Sequence, residues 1–351
     1  MQTTMNNAAS KIMTSTAPIT DAVRVETLDD YAVFWRAGHS PLVWSDPFGL
    51  PPWLKAWWSA CGQGWSPYLL SIRVGGRLAG LAPLMRQGRE VRLMGGPDVC
   101  DHMDFVVAPE HAHAFYRSLL DHLAADGVDR LSLWSVRGDA SAMTYLRPVA
   151  EGWGARVRCA LNGQLFVMPL PATWEDYLLR LSGKERHEIR RKLRRLEAAG
   201  RVTLRCVRTA AALPPAMDAF MQLFRANRAD KAAFMTGPRP QFFHELTAGM
   251  ASAGLLRLYF LDLDDRPIAA ALCFEHDGTV YLYNNGYDDA YRALSAGLLG
   301  KVLTIRASIR AGCRHYDFLK GSESYKRRLG GLPVKLYRCD MVWDPKQEAI
   351  R

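Results

Sequence analysis

Asp317, Glu323, Tyr325 and Lys326, all within the run DFLKGSESYK, are residue types that move protons between a nucleophile and a leaving group. A carboxylate takes the proton of an attacking amine or hydroxyl, a phenol returns one to the departing group, and an ammonium steadies the oxyanion between them. Glu323 is the candidate base, with Asp317 the alternative if it points into a cleft. Tyr325 is the candidate proton donor and Lys326 the oxyanion or phosphate contact. His315 is a further base candidate, although a histidine in a strand is more often a satisfied structural one. No cysteine or serine is presented with an evident histidine partner, so the chemistry expected is direct attack without a covalent enzyme intermediate.

Upstream, RALSAGL carries Arg292, Ser295, Ala296, Gly297 and Leu298 as candidate cofactor-binding residues. A strand that turns through small residues into a helix N-terminus aims unpaired N–H groups at one spot, and the helix dipole adds partial positive charge there. Such a spot suits a pyrophosphate. On this reading Ser295 caps the helix and Gly297 lets a phosphate approach the backbone. On the bland reading Ser295 is a cap only and Gly297 a tolerated glycine.

Candidate substrate contacts are Asn284, Asn285 and Tyr287 at a strand end, where the two asparagines could hold a sugar. Tyr281 and Tyr283 lie on the same strand, where aromatic residues are more often core than site. In the first half, Asp98, Asp101, His102 and Asp104 gather on one loop. Asp101, and after it Asp104, could accept hydrogen bonds from sugar hydroxyls or an amine; a loop that caps the following elements is the alternative. Carboxylate spacing on a loop is weak support for a metal, and none is expected.

A basic segment, expected as one helix from Trp174 to Ala199, has a thin apolar line of Leu178, Leu181, Ile189, Leu193 and Leu196. Arg190, Arg191 and Arg194 would give it an anion-binding face for a lipid phosphate, CoA, an acidic polysaccharide or RNA, unless it is a solvated helix like most charge runs. No aromatic residues interleave with the arginines, which argues against nucleic acid. Trp53 and Trp57 share a helix face with Trp58 beside them; core packing is the default and sugar stacking the alternative.

Such side chains need a scaffold, and the chain writes one twice. The first half reads as strand Ala22–Glu26, helices Thr27–Ala37 and Pro51–Cys61, hairpin Pro67–Val74 with Arg77–Met85, strand Glu90–Met94, a helix near Glu110–Asp126 and strand Arg130–Ser135. The second repeats the series: strand Val202–Val207, helices near Pro215–Asn227 and Gln241–Ser252, a hairpin region Leu256–Phe274, strand Thr279–Tyr283, a helix opened by Arg292–Gly297 and stopped at Gly312, and strand Arg314–Leu319. His276-Asp277-Gly278 is a hairpin signal. GRLAGLAPL answers DRPIAAALCF, a duplication of domain size rather than a short-repeat solenoid.

The phosphate loop resembles that of the GCN5-related N-acetyltransferase (GNAT) superfamily, with Ser295 where a glycine is usual. More specifically, YNNGYD, SAGLL and AGCRHYDFLKGSESYK resemble the acetyltransferase-like domain of CelD-type cellulose and exopolysaccharide proteins, itself related to the Fem peptidyltransferases. The resemblance covers about Leu165 to Trp343 closely and the first half more loosely. It implies an α/β (α+β) fold of two tandem GNAT-like domains with mixed, mostly antiparallel sheets: an acceptor-side domain over residues 21–164 and a donor-side domain over 165–345. It implies an acetyltransferase or other acyltransferase, acetyl-CoA or another acyl-CoA as co-substrate, and a sugar or lipid-linked sugar acceptor in envelope assembly. A Fem-like aminoacyl-tRNA-dependent transferase and a non-catalytic effector-binding scaffold of a polysaccharide synthesis system are the alternatives.

Composition agrees with two domains: 351 residues, 49% hydrophobic. A net charge of +10 favours anionic partners without choosing among them. The seven cysteines form no CxxC pair and read as reduced thiols of a cytoplasmic protein. Residues 1–20 read as a disordered tail without a signal peptide's apolar core. No run is long enough to span a bilayer, so any contact with the inner membrane or a polysaccharide synthesis machinery would be peripheral.

Overall fold

The computed structural model describes residues 22–37, 41–227 and 229–344, so the expected tail lies outside the described residues. The first half runs β1 (Ala22–Glu26), α1 (Leu28–Arg36), α2 (Pro51–Cys61), β2 (Ser66–Val74), β3 (Arg77–Gln87), β4 (Glu90–Leu93), β5 (Val106–Val107), α3 (Ala112–Ala125), β6 (Arg130–Arg137), α4 (Arg147–Trp153) and β7 (Arg156–Pro169). Then come α5 (Trp174–Arg180), α6 (Gly183–Glu197), β8 (Val202–Val207), α7 (Leu213–Asn227), α8 (Ala229–Phe234), α9 (Arg239–Ser252), β9 (Leu256–Leu263) and β10 (Arg266–His276). The chain closes with β11 (Thr279–Tyr287), α10 (Ala296–Arg310), β12 (His315–Lys320), α11 (Ser324–Arg328) and β13 (Leu332–Val342).

Local chemistry starts and stops these elements. Thr27 and Asp30 cap α1 reciprocally. Pro51 occupies the first turn of α2, where its missing N–H costs nothing. Asp277 and Gly278 both take positive φ, as the two-residue turn joining β10 to β11 demands. The basic segment is two helices rather than one: α5 ends at Arg180, and Ser182, in extended backbone, accepts the Glu185 N–H to start α6 afresh.

All the strands join one sheet in the order β1-β2-β3-β4-β6-β13-β7-β12-β11-β10-β9-β8, with β5 beside β3. Among the described residues only β4–β6 and β11–β12 run parallel. That order is the same from either end, except that each half lends its last strand to the other. β7 pairs with β12 of the second half, and β13 pairs with β6 of the first. The division expected between residues 164 and 165 therefore falls inside β7, and the two halves share a sheet. They also share a core: Trp53 of α2 is fully buried, its ring 5.8 Å from Phe242 and 5.7 Å from Phe274. With Trp57 buried as well, sugar stacking on that face is ruled out.

β7 and β13 pair with each other, and there Cys159 faces Cys339 and is bonded to it as a disulfide. The expectation of seven reduced thiols is thus corrected: Cys61, Cys100, Cys206, Cys273 and Cys313 are free, and the other two are joined. Their sequence separation is 180, which no spacing rule would flag. Among the described residues no helix is long and apolar enough to cross a membrane.

Candidate functional site

The parallel pairing of β11 with β12 ends at Tyr281–Asp317. Beyond it the strands part. β11 bulges where its register against β10 slips between Leu272 and Cys273, and Leu319 of β12 turns into the left-handed region at φ 59°. A cavity of about 590 Å³ opens between them, walled by both strands, by α10 and α11, and by the first half's loop through Val99 and Asp101. Glu323, Tyr325, Lys326, Asn284, Asn285, Tyr287 and Asp101 all line it. The structure thus brings together seven expected site residues that span 226 positions of sequence, counting from Asp101 to Lys326.

The turn at Leu319 is held from three sides. Asp317 Oδ1 accepts the Leu319 N–H at 2.7 Å, Asp101 Oδ2 accepts the Lys320 N–H at 2.8 Å, and Lys326 Nζ donates to the carbonyls of Leu319 (3.0 Å) and Lys320 (2.6 Å). Lys326 Nζ also lies 3.1 Å from Glu323 Oε2. An ammonium has three donors, and these three acceptors use them all. Lys326 therefore positions the turn, and the expected oxyanion or phosphate contact is corrected on that ground.

The carboxylates divide by environment. Burial pushes Glu323 up, but the Lys326 ammonium and backbone hydrogen bonding outweigh it and hold the carboxyl below its ordinary value. Asp101 moves the other way: burial raises it more than the Lys320 N–H, His102 and the two lysines lower it. Asp101, expected as a hydrogen-bond acceptor for substrate, lines the cavity while its Oδ2 accepts the Lys320 N–H. Tyr325 is raised by burial and so keeps its proton, as a donor to a leaving thiolate should. Its ring faces Lys301 Nζ at 4.9 Å. Lys301 is buried on α10 and donates to Gly297 O at 2.9 Å. The sequence reading missed it; a lysine inside the apolar run LLGKVL was the available signal.

The expected phosphate loop borders this cavity without lining it. Ser295 stands at the N-cap of α10, but at φ 59° its side chain makes no capping bond, which corrects the role expected of it. Its carbonyl accepts the Leu298 and Leu299 N–H groups, and Ala296 is buried. A Cβ on Gly297 would sit 2.4 Å from the Tyr287 ring. This glycine makes room for a neighbouring side chain, so the close phosphate approach is not needed to explain it. Arg292 is exposed, 3.9 Å from Asp289. Arg195 of α6 reaches the same loop and donates to Ala293 O. On that helix Arg190 and Arg194 are exposed, whereas Arg191 is paired to Glu188 through two 2.9 Å bonds.

Three expected residues lie elsewhere. Asp317 lines a second cavity, as do His315 and Asp104. Asp104 accepts the Ser141 and Ala142 N–H groups at 2.7 and 3.1 Å, so it caps the turn that leads into α4, and its expected substrate role is corrected. His315 is exposed, not a buried structural histidine. Tyr281 and Tyr283 pack, their hydroxyls donating to Ser45 O and Val99 O.

Residues 183–327 match the family model for the acetyltransferase (GNAT) domain. No curated protein matches the sequence. Among solved structures the chain is similar to FemX, at 11% identity over 90% of this chain and 96% of that one, with a TM-score of 0.62. It is similar to a conserved protein of unknown function from Bacteroides thetaiotaomicron, at 12% identity, 92% and 100% coverage and a TM-score of 0.56. L-PGS from Bacillus licheniformis follows at 11% identity, 82% and 90% coverage and 0.52. At these identities the likeness is one of fold. The fold is GNAT-like: mixed α/β with a mostly antiparallel sheet.

Proposed function

We propose that the protein is an acyl-CoA-dependent N- or O-acyltransferase acting on a sugar or lipid-linked sugar in envelope or exopolysaccharide assembly, on the cytoplasmic side. The observation that carries this reading is the cavity at the parting of β11 and β12, which Asp101 of one half and Tyr325 of the other both line. Asp101 takes the acceptor's proton as its nitrogen or oxygen attacks the thioester carbonyl. The C–S bond then breaks, and Tyr325 gives its proton to the thiolate. Asn284 and Asn285 line the same cavity and carry amides, a group that can both donate to and accept from a sugar hydroxyl. The resemblance of DFLKGSESYK to CelD-type domains supports the choice of acceptor.

The test is thiol release from acetyl-CoA against a panel of sugars and amino sugars. Asp101→Asn should lower kcat by about 10²–10⁴-fold while leaving calorimetric CoA affinity within about twofold. Unchanged turnover would remove Asp101 from the chemistry. A failure of CoA to bind at all would remove the acyl-CoA reading.

One observation favours a second reading, an aminoacyl-tRNA-dependent transferase: α6, with Arg190 and Arg194 exposed, abuts the loop before α10 through Arg195. In that case tRNA affinity should fall linearly in log salt, with a shallower slope once Arg190 and Arg194 are replaced.

A further inference from the structure

Successive strand residues face opposite sides of a sheet. Leu282 and Phe318 line the cavity between the parted strands, whereas their neighbours Tyr281 and Asp317, paired across β11 and β12, line a second cavity of about 540 Å³. Both halves wall this space. The first half lends the loop through Asp46, the stretch through Asp104, and Arg137 at the end of β6 with the segment that follows it to Tyr145.

Most of the charged groups here are committed to the fold. Asp46 Oδ1 accepts the Phe48 and Gly49 N–H groups, and its Oδ2 lies 3.3 Å from the Ser45 hydroxyl and 3.5 Å from His102 Nδ1. Asp104 gives one oxygen to each of the Ser141 and Ala142 N–H groups. Asp139 accepts from Arg137 Nε and Nη2 in two 2.9 Å bonds. Two atoms are left over. Arg137 Nη1 and Asp317 Oδ2 lie 3.6 Å apart, close enough to attract and too far to hydrogen-bond. Among the described residues neither has a hydrogen-bond partner, since the Leu319 N–H reaches the Asp317 carboxylate at Oδ1.

These two atoms define what a ligand must offer. Asp317 is 1% exposed, and burial lifts it to about 6 against the pull of His102 and Arg137. A buried oxygen short of a donor is costly, so a ligand that supplies one gains. The Arg137 N–H beside it calls for an acceptor. Two neighbouring hydroxyls answer both, one donating to Oδ2 and the other accepting from Nη1, and they bring no charge that must itself be desolvated. Hydroxyls on adjacent carbons are what a sugar ring presents. The remaining walls agree: Phe105, Tyr145 and Tyr281 bring aromatic rings to the cavity, Tyr145 being 37% exposed. Aromatic walls around a few convergent polar atoms are the make-up of a small-molecule site, and the volume is of that order.

We propose that this cavity is a second, non-reacting sugar site, in which neighbouring hydroxyls of a neutral sugar bridge Arg137 Nη1 and Asp317 Oδ2. The inference goes beyond the acyl-transfer reading and stands without it, because Tyr281 and Asp317 belong to the opposite face of β11 and β12.

The probes are glucose, galactose, mannose and cellobiose, titrated into the full chain and followed by saturation-transfer NMR. 2-(Hydroxymethyl)tetrahydropyran is the ring without neighbouring hydroxyls, and glucosamine and glucuronate are the charged counterparts. At least one neutral sugar should bind saturably, at least tenfold more tightly than the bare ring and no less tightly than the charged sugars. Arg137→Met and Asp317→Asn should each weaken it at least tenfold, the weight of one hydrogen bond to a charged group. Should both fold poorly, Tyr145→Ala, at a partly exposed position, serves instead and should weaken it at least threefold. Replacing Asn284 and Asn285 together by alanine should leave this binding in place, which separates it from a sugar held in the acyl-transfer cavity. Absence of saturable binding by every neutral sugar, equal binding of the bare ring, tighter binding of a charged sugar, full binding by the folded variants, or loss of binding with Asn284 and Asn285 would each overturn the proposal. Calorimetric CoA titration of the same samples reports separately on the acyl-transfer reading.

Discussion

Leu319 adopts a backbone conformation that costs a residue with a Cβ about 1–3 kcal/mol, and the groups that hold it there are Asp317, Asp101 and Lys326. Lys326→Met keeps the stem and removes the three donors. It should cost about 1.5–3 kcal/mol in urea unfolding and lower kcat without moving the pH profile, since it is the turn that shifts and not the base. An oxyanion contact would instead spare stability, so the two roles separate cleanly. Asp104 gives a stability prediction of opposite sign to the usual carboxylate. Its folded pKa of about 7 exceeds the unfolded value near ~3.9, so the native state holds the extra proton between them. The stability it lends is full below about pH 4 and is lost as pH rises through about 7. Thermal melts across that window should show a flatter decline for Asp104→Asn. The residue types in DFLKGSESYK were legible in the sequence, but their roles were not. Lys326 is an oxyanion contact or a clamp depending on whether acceptors surround it, and those acceptors are backbone carbonyls that no side-chain pattern encodes.

At the scale of elements, the start of α10 meets the end of β11 where the Tyr287 ring packs against Gly297. Gly297→Ala should displace the Tyr287 ring from the cavity wall and weaken CoA binding. In a Tyr287→Ala background the same change should cost less, with a coupling of about 0.5–3 kcal/mol in the calorimetric cycle. Additive effects would show that Gly297 touches the ligand itself. Periodicity located most elements: α2 falls on Pro51–Cys61 as read, and β8 on Val202–Val207. It missed β7 and β13. Much of β7, with Arg156 and Arg158 among its side chains, is exposed or half-buried, so its sequence lacks the apolar run of a central strand. The break between α5 and α6 was also missed, because the apolar line of Leu178, Leu181 and Ile189 continues across a Ser-Gly pair that ends one helix and caps the next.

In the whole molecule the disulfide joins the two exchanged strands at the middle of the sheet. Its reduction, or Cys159→Ser, should lower stability by about 2–4 kcal/mol: the wild-type urea midpoint should fall when a reductant is added, and that of Cys159→Ser should be low with or without one. The same exchange explains why the boundary could not be read from sequence: a strand that belongs by connectivity to one half and by hydrogen bonding to the other has no composition of its own. A chain cut at Gly200 would leave each piece with a sheet edge meant for its partner. Neither piece should fold alone, and the two expressed together should assemble. A half standing by itself would meet that need only by trading its last strand with an identical copy about a twofold axis. The molecule is thus a swapped homodimer in outline, with its subunits fused into one chain and free to diverge.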